Sequence, residues 1–317
     1  HNVYFLSNYT LMTPYPEPRK YDQILPINPR EIRSGDLFAK LELDGLGPME
    51  MLGQGTTSGH VAFAMWNTTT DTLFVCESII PGVTCTEWHA WTQEMQAGGN
   101  NIVVVPLKEE LSQKFNLTAA WKWVNDHYAF EYGYHNFFFG WIDTATQNLP
   151  CFPDSWDRCL TMEHVKILMF NVEEAVPALF TKFFGQALNH RVGTKGLNAS
   201  EVLYQAFVRK GITTSGDLFA VVEQDEWLYN ATIRGRNGTF LIPSQVCSTL
   251  GCNVLREGGV FDEIGGDFQC AEIDVWDMFS LNIFDSTKFG AGRPQVCQDA
   301  DPDNYLCQIT GSWTFYL

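Results

Sequence analysis

The chain is short of positive charge, of long apolar runs and of metal-binding spacings, and each shortage removes a class of function. Its 317 residues carry 20 Lys and Arg against 37 Asp and Glu, a formal net charge of -17. So acidic a balance, with a pI near 4.7, argues against nucleic acid as a partner and suits an acidic or extracellular setting. No stretch approaches the roughly 20 apolar residues of a membrane span, so no transmembrane segment is expected. Nine cysteines and seven histidines include no Cys-x-x-Cys and no His-x3-His pair. No metal site and no other cofactor is therefore expected.

What is present is material for a packed core: 45% hydrophobic residues, 14% aromatic, enough for one large or two ordinary domains. Asn-x-Ser/Thr sequons begin at Asn8, Asn67, Asn116, Asn198, Asn230 and Asn237. Together with the cysteines they point to a eukaryotic secretory pathway, and so to a secreted, lysosomal or phagosomal protein. The chain starts at His1 without a signal peptide and is read as a processed or trimmed product. Close spacing suggests Cys76 with Cys85, Cys151 with Cys159, Cys247 with Cys252 and Cys297 with Cys307, leaving Cys270 over. Spacing alone does not fix connectivity, and this pairing is a guess.

Residues 1–32, rich in proline, tyrosine and asparagine, read as an extended arm lying on the domain. Short strands with turn signals follow at Asp36 to Leu43, His60 to Trp66, Thr72 to Glu77 and Ile102 to Pro106, which suit one small antiparallel sheet. Helical spacing runs from Asn116 to Phe130, from about Val172 to Phe184, and from Ala199. Residues 212–317 read as a β-rich, disulfide-containing region. The hexapeptide Ser-Gly-Asp-Leu-Phe-Ala occurs at Ser34 to Ala39 and again at Ser215 to Ala220, and reads as a strand-entry turn used twice.

A thiol nucleophile needs a histidine to take its proton, a polar group to orient that histidine, and donors for the oxyanion. His60 opens a strand after a glycine-rich loop, in Ser58-Gly59-His60-Val61. Glu77 interrupts an apolar strand, and Tyr132-Gly133-Tyr134 adds phenols on a loop. Asn198 is a good N-cap, Glu201 completes a capping box, and Val202, Leu203, Ala206 and Phe207 form an apolar stripe behind them. Residue 199 is thus the first of a helix, where the terminus favours a thiolate, yet it is an alanine.

Taken in order, Gly35-Asp36-Leu37-Phe38, Gly59-His60-Val61, Glu77 with Gly82-Val83, Tyr132-Gly133-Tyr134 and Asn198-Ala199-Ser200-Glu201-Val202 resemble the circularly permuted NlpC/P60 group of papain-like hydrolases. The resemblance spans residues 33–211. It implies an α+β fold with a papain-like core of a small antiparallel sheet and packed helices, residues 33–211 forming the hydrolase domain and 212–317 a β-rich extension. It also implies a cysteine at position 199, His60 as general base, Glu77 as the orienting group, and oxyanion or substrate contacts from Tyr132, Tyr134 and Asn198. The function implied is a cysteine peptidase or amidase working through an acyl-enzyme, with a peptide or acyl substrate. Ala199 then reads as a cysteine-to-alanine replacement, or as the mark of a pseudoenzyme that binds a peptide or glycan. A lipid acyltransferase of the related permuted type is a further reading, with the aromatic residues from Phe137 to Trp141 as its membrane-facing surface. N-linked glycans are expected at some of Asn8, Asn67, Asn116, Asn230 and Asn237, and not at Asn198, where a glycan would crowd the cleft.

Overall fold

A computed structural model describes residues 17–19, 24–43, 47–54, 56–133, 171, 173–175, 177–179, 185–211, 228–264, 270–271, 273–285, 293–300 and 306–314. The apolar, β-branched segments form strands as expected: β1 (Leu37–Leu41), β2 (His60–Asn67), β3 (Thr72–Ile79) and β5 (Asn101–Val105). Two further strands join them, β4 (Gly82–Glu87) and β8 (Cys307–Thr310), in an antiparallel sheet of order β4-β3-β2-β1-β5-β8. A separate hairpin pairs β6 (Leu228–Thr232) with β7 (Thr239–Pro243).

All five residues of β1 and of β5 are buried, because both faces of the sheet centre are covered. Side chains alternate between the faces with period 2. Phe38, Ala62, Ala64, Ile102 and Val104 pack with Trp88, Trp91 and Met95 of helix α1 (Trp88–Ala97). Leu37, Ala39, Val61, Phe63, Val103 and Val105 pack with Cys252 and Leu255 from the opposite layer. That layer is built on helix α4 (Cys247–Glu257), which lies against β2, β3 and helix α2 (Leu117–His127). Where α4 crosses β2 the approach is close: a Cβ on Gly251 would stand 2.0 Å from Cε2 of Phe63. The helix can reach this depth only because residue 251 has no side chain.

The mixed α and β composition agrees with expectation, and so do Asn116 capping α2 and Asn198 capping α3 (Ala199–Lys210). The C-terminal region differs. Apart from the β6–β7 hairpin and β8, its described residues form helices: α4, then Val260–Ile264, Val275–Ser280 and Gln295–Ala300. The cause is visible in α4, whose sequence CSTLGCNVLRE is poor in strong helix formers and whose residues Cys247 to Leu255 are all buried. Its helical spacing, Cys247, Leu250, Gly251 and Val254, is carried by too few strong helix formers for propensity to announce it. Nor is this region peripheral, since α4 fills one face of the sheet and β8 extends it beyond β5. The N-terminal arm lies along that edge: Pro18 bridges Trp313, Leu25 N donates to Ile309 O, and the Arg19 guanidinium reaches the carbonyls of Gln308 and Gly311. Such cover blunts an otherwise open sheet edge.

The cysteine pairing is Cys76–Cys85, Cys297–Cys307 and Cys252–Cys270. The first two match the short-range arrangement; the third corrects it, leaving Cys247 reduced and buried in place of Cys270. The physical reason is the helix. Cysteines five residues apart on one α-helix are separated by about 7.5 Å along the axis and about 140° around it, outside disulfide reach. Cys151 and Cys159, most of the helix expected over residues 172–184, and the second copy of the hexapeptide lie outside the described residues. The first copy forms the expected turn at Ser34-Gly35 followed by β1.

Candidate active site

The ladder between β2 and β3 runs from Asn67↔Thr72 to Phe63↔Cys76 and stops there. His60 and Glu77 lie just beyond its end, and the imidazole spans the opening: His60 Nε2 is 2.8 Å from Glu77 Oε2. The opening is shaped by hydrogen bonds around it. Gly59 N and Ser58 Oγ both donate to Lys40 O, and Ser58 Oγ also contacts His60 O, fixing the chain where β2 begins. Trp91 of α1 donates its indole N–H to Glu77 Oε1 at 2.8 Å, so both carboxylate oxygens are held.

From the other layer, residues 244–247 approach the same opening. Ser78 Oγ donates to Gln245 O at 2.6 Å, and Gly133 N donates to the same carbonyl at 2.9 Å. Tyr132 bridges Gln245, and a Cβ on Gly133 would stand 2.1 Å from Gln245 N, so only glycine lets these two segments lie together. The segment ends in the first residue of α4, Cys247, whose thiol lies close enough to the His60 ring to interact with it. With Nε2 turned to Glu77, the ring nitrogen left for the thiol is Nδ1.

Cys247, His60 and Glu77 therefore form one chain of contacts, nearly closed to water: their exposures are 6%, 6% and 2%. Burial alone would drive His60 toward its neutral form, but the Cys247 thiolate and the Glu77 carboxylate outweigh it and lift the imidazole to about 10. Burial likewise opposes the charge on Glu77, and is overcome by the His60 hydrogen bond and the nearby Lys40 cation, which take it down to about 2. The charged state that fits this geometry on the His60–Glu77 side is an imidazolium against a carboxylate. Position one of an α-helix adds the partial positive charge of the terminus. Val246, which precedes it, supplies no side-chain cap to the first-turn N–H groups.

Of the residues singled out in the sequence, the structure brings His60 and Glu77 together and sets Tyr132 against the segment that delivers the thiol. Ala199 opens α3 as expected, and Asn198 and Glu201 exchange both hydrogen bonds of a capping box, but α3 packs on the helix Gln186–Val192. Asn198 spends its side-chain oxygen on that cap. Tyr134 lies outside the described residues. Cys247 was hidden in the sequence by its supposed bond to Cys252; the signals that could have found it are a cysteine directly after an extended segment and the helical spacing of Leu250, Gly251 and Val254 behind it.

Beside Glu77 a cavity of about 450 Å³ opens between β3, β4 and α1, with Thr84, Glu94, Glu131 and Arg234 among its polar walls. Among the described residues no cluster of His, Cys, Asp and Glu is arranged to hold a metal ion, and no helix is long and apolar enough to cross a membrane. Comparison with protein-family models, with curated proteins and with solved structures finds no match for this chain.

Proposed function

We propose that the protein is a cysteine hydrolase of amide or acyl-ester bonds, with Cys247 as nucleophile, His60 as general base and acid, and Glu77 as the group that orients the imidazole. The observation that carries this reading is the contact chain Cys247–His60–Glu77, in which Cys247 is the free cysteine among the described residues. A structural thiol in a core needs neither a histidine nor a carboxylate behind it.

In this mechanism the Cys247 sulfur attacks the carbonyl carbon of the substrate. The oxyanion forms near the N-terminus of α4, where the Cys247 N–H can receive it. His60 gives its proton to the leaving amine or alkoxide as the bond to carbon breaks, and an acyl-enzyme remains. Water then loses a proton to His60 and attacks the acyl carbon, releasing the acid and restoring the thiolate. Glu77 keeps Nε2 engaged and Nδ1 toward sulfur throughout, and stays ionised.

The order of parts, histidine strand first and cysteine helix last, also supports a place near the permuted NlpC/P60 hydrolases. The cysteine helix is then α4 and not α3, and no replacement at 199 has to be invoked. Peptide-like amides are the proposed substrate class. Three disulfides among the described residues fit an oxidising compartment, and the acidic composition fits a secreted or lysosomal one. Glycans are proposed on the exposed Asn116, Asn230 and Asn237 and on the half-buried Asn67.

The test is turnover against a panel of peptide and acyl-ester substrates between pH 4 and 8, with Cys247→Ala and His60→Ala as controls. Turnover lost in both variants supports the reading. Turnover that survives Cys247→Ala, or a folded protein that cuts neither class, overturns it.

A further inference from the structure

The site contains a buried cation that the hydrolytic steps do not use. Lys40 lies on β1 directly across from His60 in the strand register, and is 3% exposed. Its Nζ is 2.8 Å from Glu42 Oε1 and 3.7 Å from Glu77 Oε2. A lysine is almost never buried unless it is paired, and taking the Lys40 ammonium and the Glu77 carboxylate out of water is costly before attraction returns any of it. A core position between Ala39 and Leu41 would hold a leucine at no such cost. The charge is therefore kept for what it does to its neighbours.

Those neighbours come from every layer around it. Glu42 follows just past the end of β1, His60 stands on β2 and Glu77 on β3. Cys247 arrives from α4 near enough to interact electrostatically with the ammonium. From helix Gly47–Gln54 the carboxylate of Glu50 approaches Gly59, next to His60, with Oε2 3.4 Å from where a Cβ on that glycine would be. Trp91 of α1 is neutral and holds the far oxygen of Glu77. Lys40 is thus the one lysine or arginine seen to interact with the Cys247–His60–Glu77 chain among the described residues, and Glu42 is the counter-charge that limits its effect.

Resting on the hydrolase reading above, we propose that Lys40 is a positioning residue that sets the pH at which the Cys247 thiolate forms, with Glu42 opposing it. The ammonium holds Glu77 ionised and favours negative charge on sulfur over a neutral thiol. Glu42 draws off part of that field. Despite its burial, Lys40 is held charged by Glu77 and Glu42, so the cation is present across the working range.

The direction of each substitution follows. Removing the cation raises the cost of the thiolate, so the acid limb of thiol reactivity moves to higher pH. Removing the Glu42 charge leaves the cation less compensated, so the limb moves to lower pH. Opposite charges within about 4–6 Å shift a titration by about one unit or more.

The experiment is the pH dependence of iodoacetamide alkylation at Cys247, read by peptide mass mapping from pH 3 to 9 in the full chain. Lys40→Met is expected to move the acid limb up by about one pH unit, Glu42→Gln to move it down by a smaller amount, and Lys40→Arg to keep it close to wild type. A merely structural lysine would lower the amount of folded protein without moving the limb, and would not produce shifts of opposite sign. Wild-type alkylation with a His60-dependent limb that stays put in Lys40→Met and Glu42→Gln overturns this proposal and spares the hydrolase reading. If Lys40→Met does not fold, Glu42→Gln and Lys40→Arg decide alone, the former by its downward shift. Absence of His60-dependent alkylation in the wild type overturns both.

Discussion

Two helix starts in this molecule, at Ala199 and at Cys247, are built in opposite ways. The first is closed by its own side chains: Asn198 accepts from Glu201 N at 2.9 Å, and Glu201 Oε2 accepts from Asn198 N at 3.0 Å, all at the exposed surface. The second has Val246 before it, no side-chain cap, and a thiol placed against a buried histidine. A capping box satisfies the orphan N–H groups of a helix and so removes them from chemistry. An uncapped terminus leaves them for a developing oxyanion. The stronger sequence signature of a helix start is for this reason the weaker sign of a catalytic one.

Cys247→Ala should lower hydrolytic turnover by about three orders of magnitude or more, as loss of a nucleophile does elsewhere, while leaving thermal stability within a few degrees of wild type. An equal loss from Ser200→Ala at the other helix start would invert the comparison.

The bond that holds α4 in place comes next. Opening Cys252–Cys270 with paired serines should cost about 2–4 kcal/mol in urea unfolding, because the bridge closes a loop from α4 to the chain beyond it. Gly251→Ala probes the same helix from its sheet side. The added methyl meets the Phe63 ring, and despite the better helix propensity of alanine the change should destabilise by about 1–3 kcal/mol, again by urea unfolding.

The charges at the site predict a pH signature. Glu77 is depressed to about 2, so the stability it contributes is present above its ordinary value of 4.5 and is lost as pH falls toward 2. His60 is raised to about 10, so its contribution is complete below 6.5 and is lost as pH rises toward 10. Thermal unfolding followed across pH should therefore show greatest stability from these groups between pH 4.5 and 6.5. The alkaline decline should be shallower in Cys247→Ala, which lacks the thiolate that lifts the imidazole; an unchanged slope would separate the thiol from His60. The smallest effect is expected at the capped helix. Asn198→Ala should cost about 1 kcal/mol or less and leave alkylation of Cys247 untouched.

Much of the frame was legible in the sequence because it obeys local rules. Alternating and β-branched segments gave β1, β2, β3 and β5, and cap residues placed the starts of α2 and α3. His60 and Glu77 were legible for a different reason: a polar residue at the edge of an apolar strand is out of place unless something uses it. The proposed nucleophile was not legible, because what identifies it is tertiary. Its helix is buried on every side and is poor in helix formers, its neighbour Cys252 offers a false partner close in sequence, and the true partner of that neighbour is Cys270. Lys40 was missed for the same kind of reason, since an isolated lysine in a strand reads as an exposed one until the sheet is folded around it.

The most direct test sets both helix starts in one molecule. In the Ala199→Cys protein, alkylated with iodoacetamide at pH 5.5 and mapped by mass spectrometry, Cys247 should react and should lose that reactivity when His60 is replaced by alanine. The thiol introduced at 199 should react slowly, as an ordinary cysteine, whatever stands at 60. Rapid labelling at 199 that depends on His60, with Cys247 inert, would contradict the assignment of the nucleophile to α4.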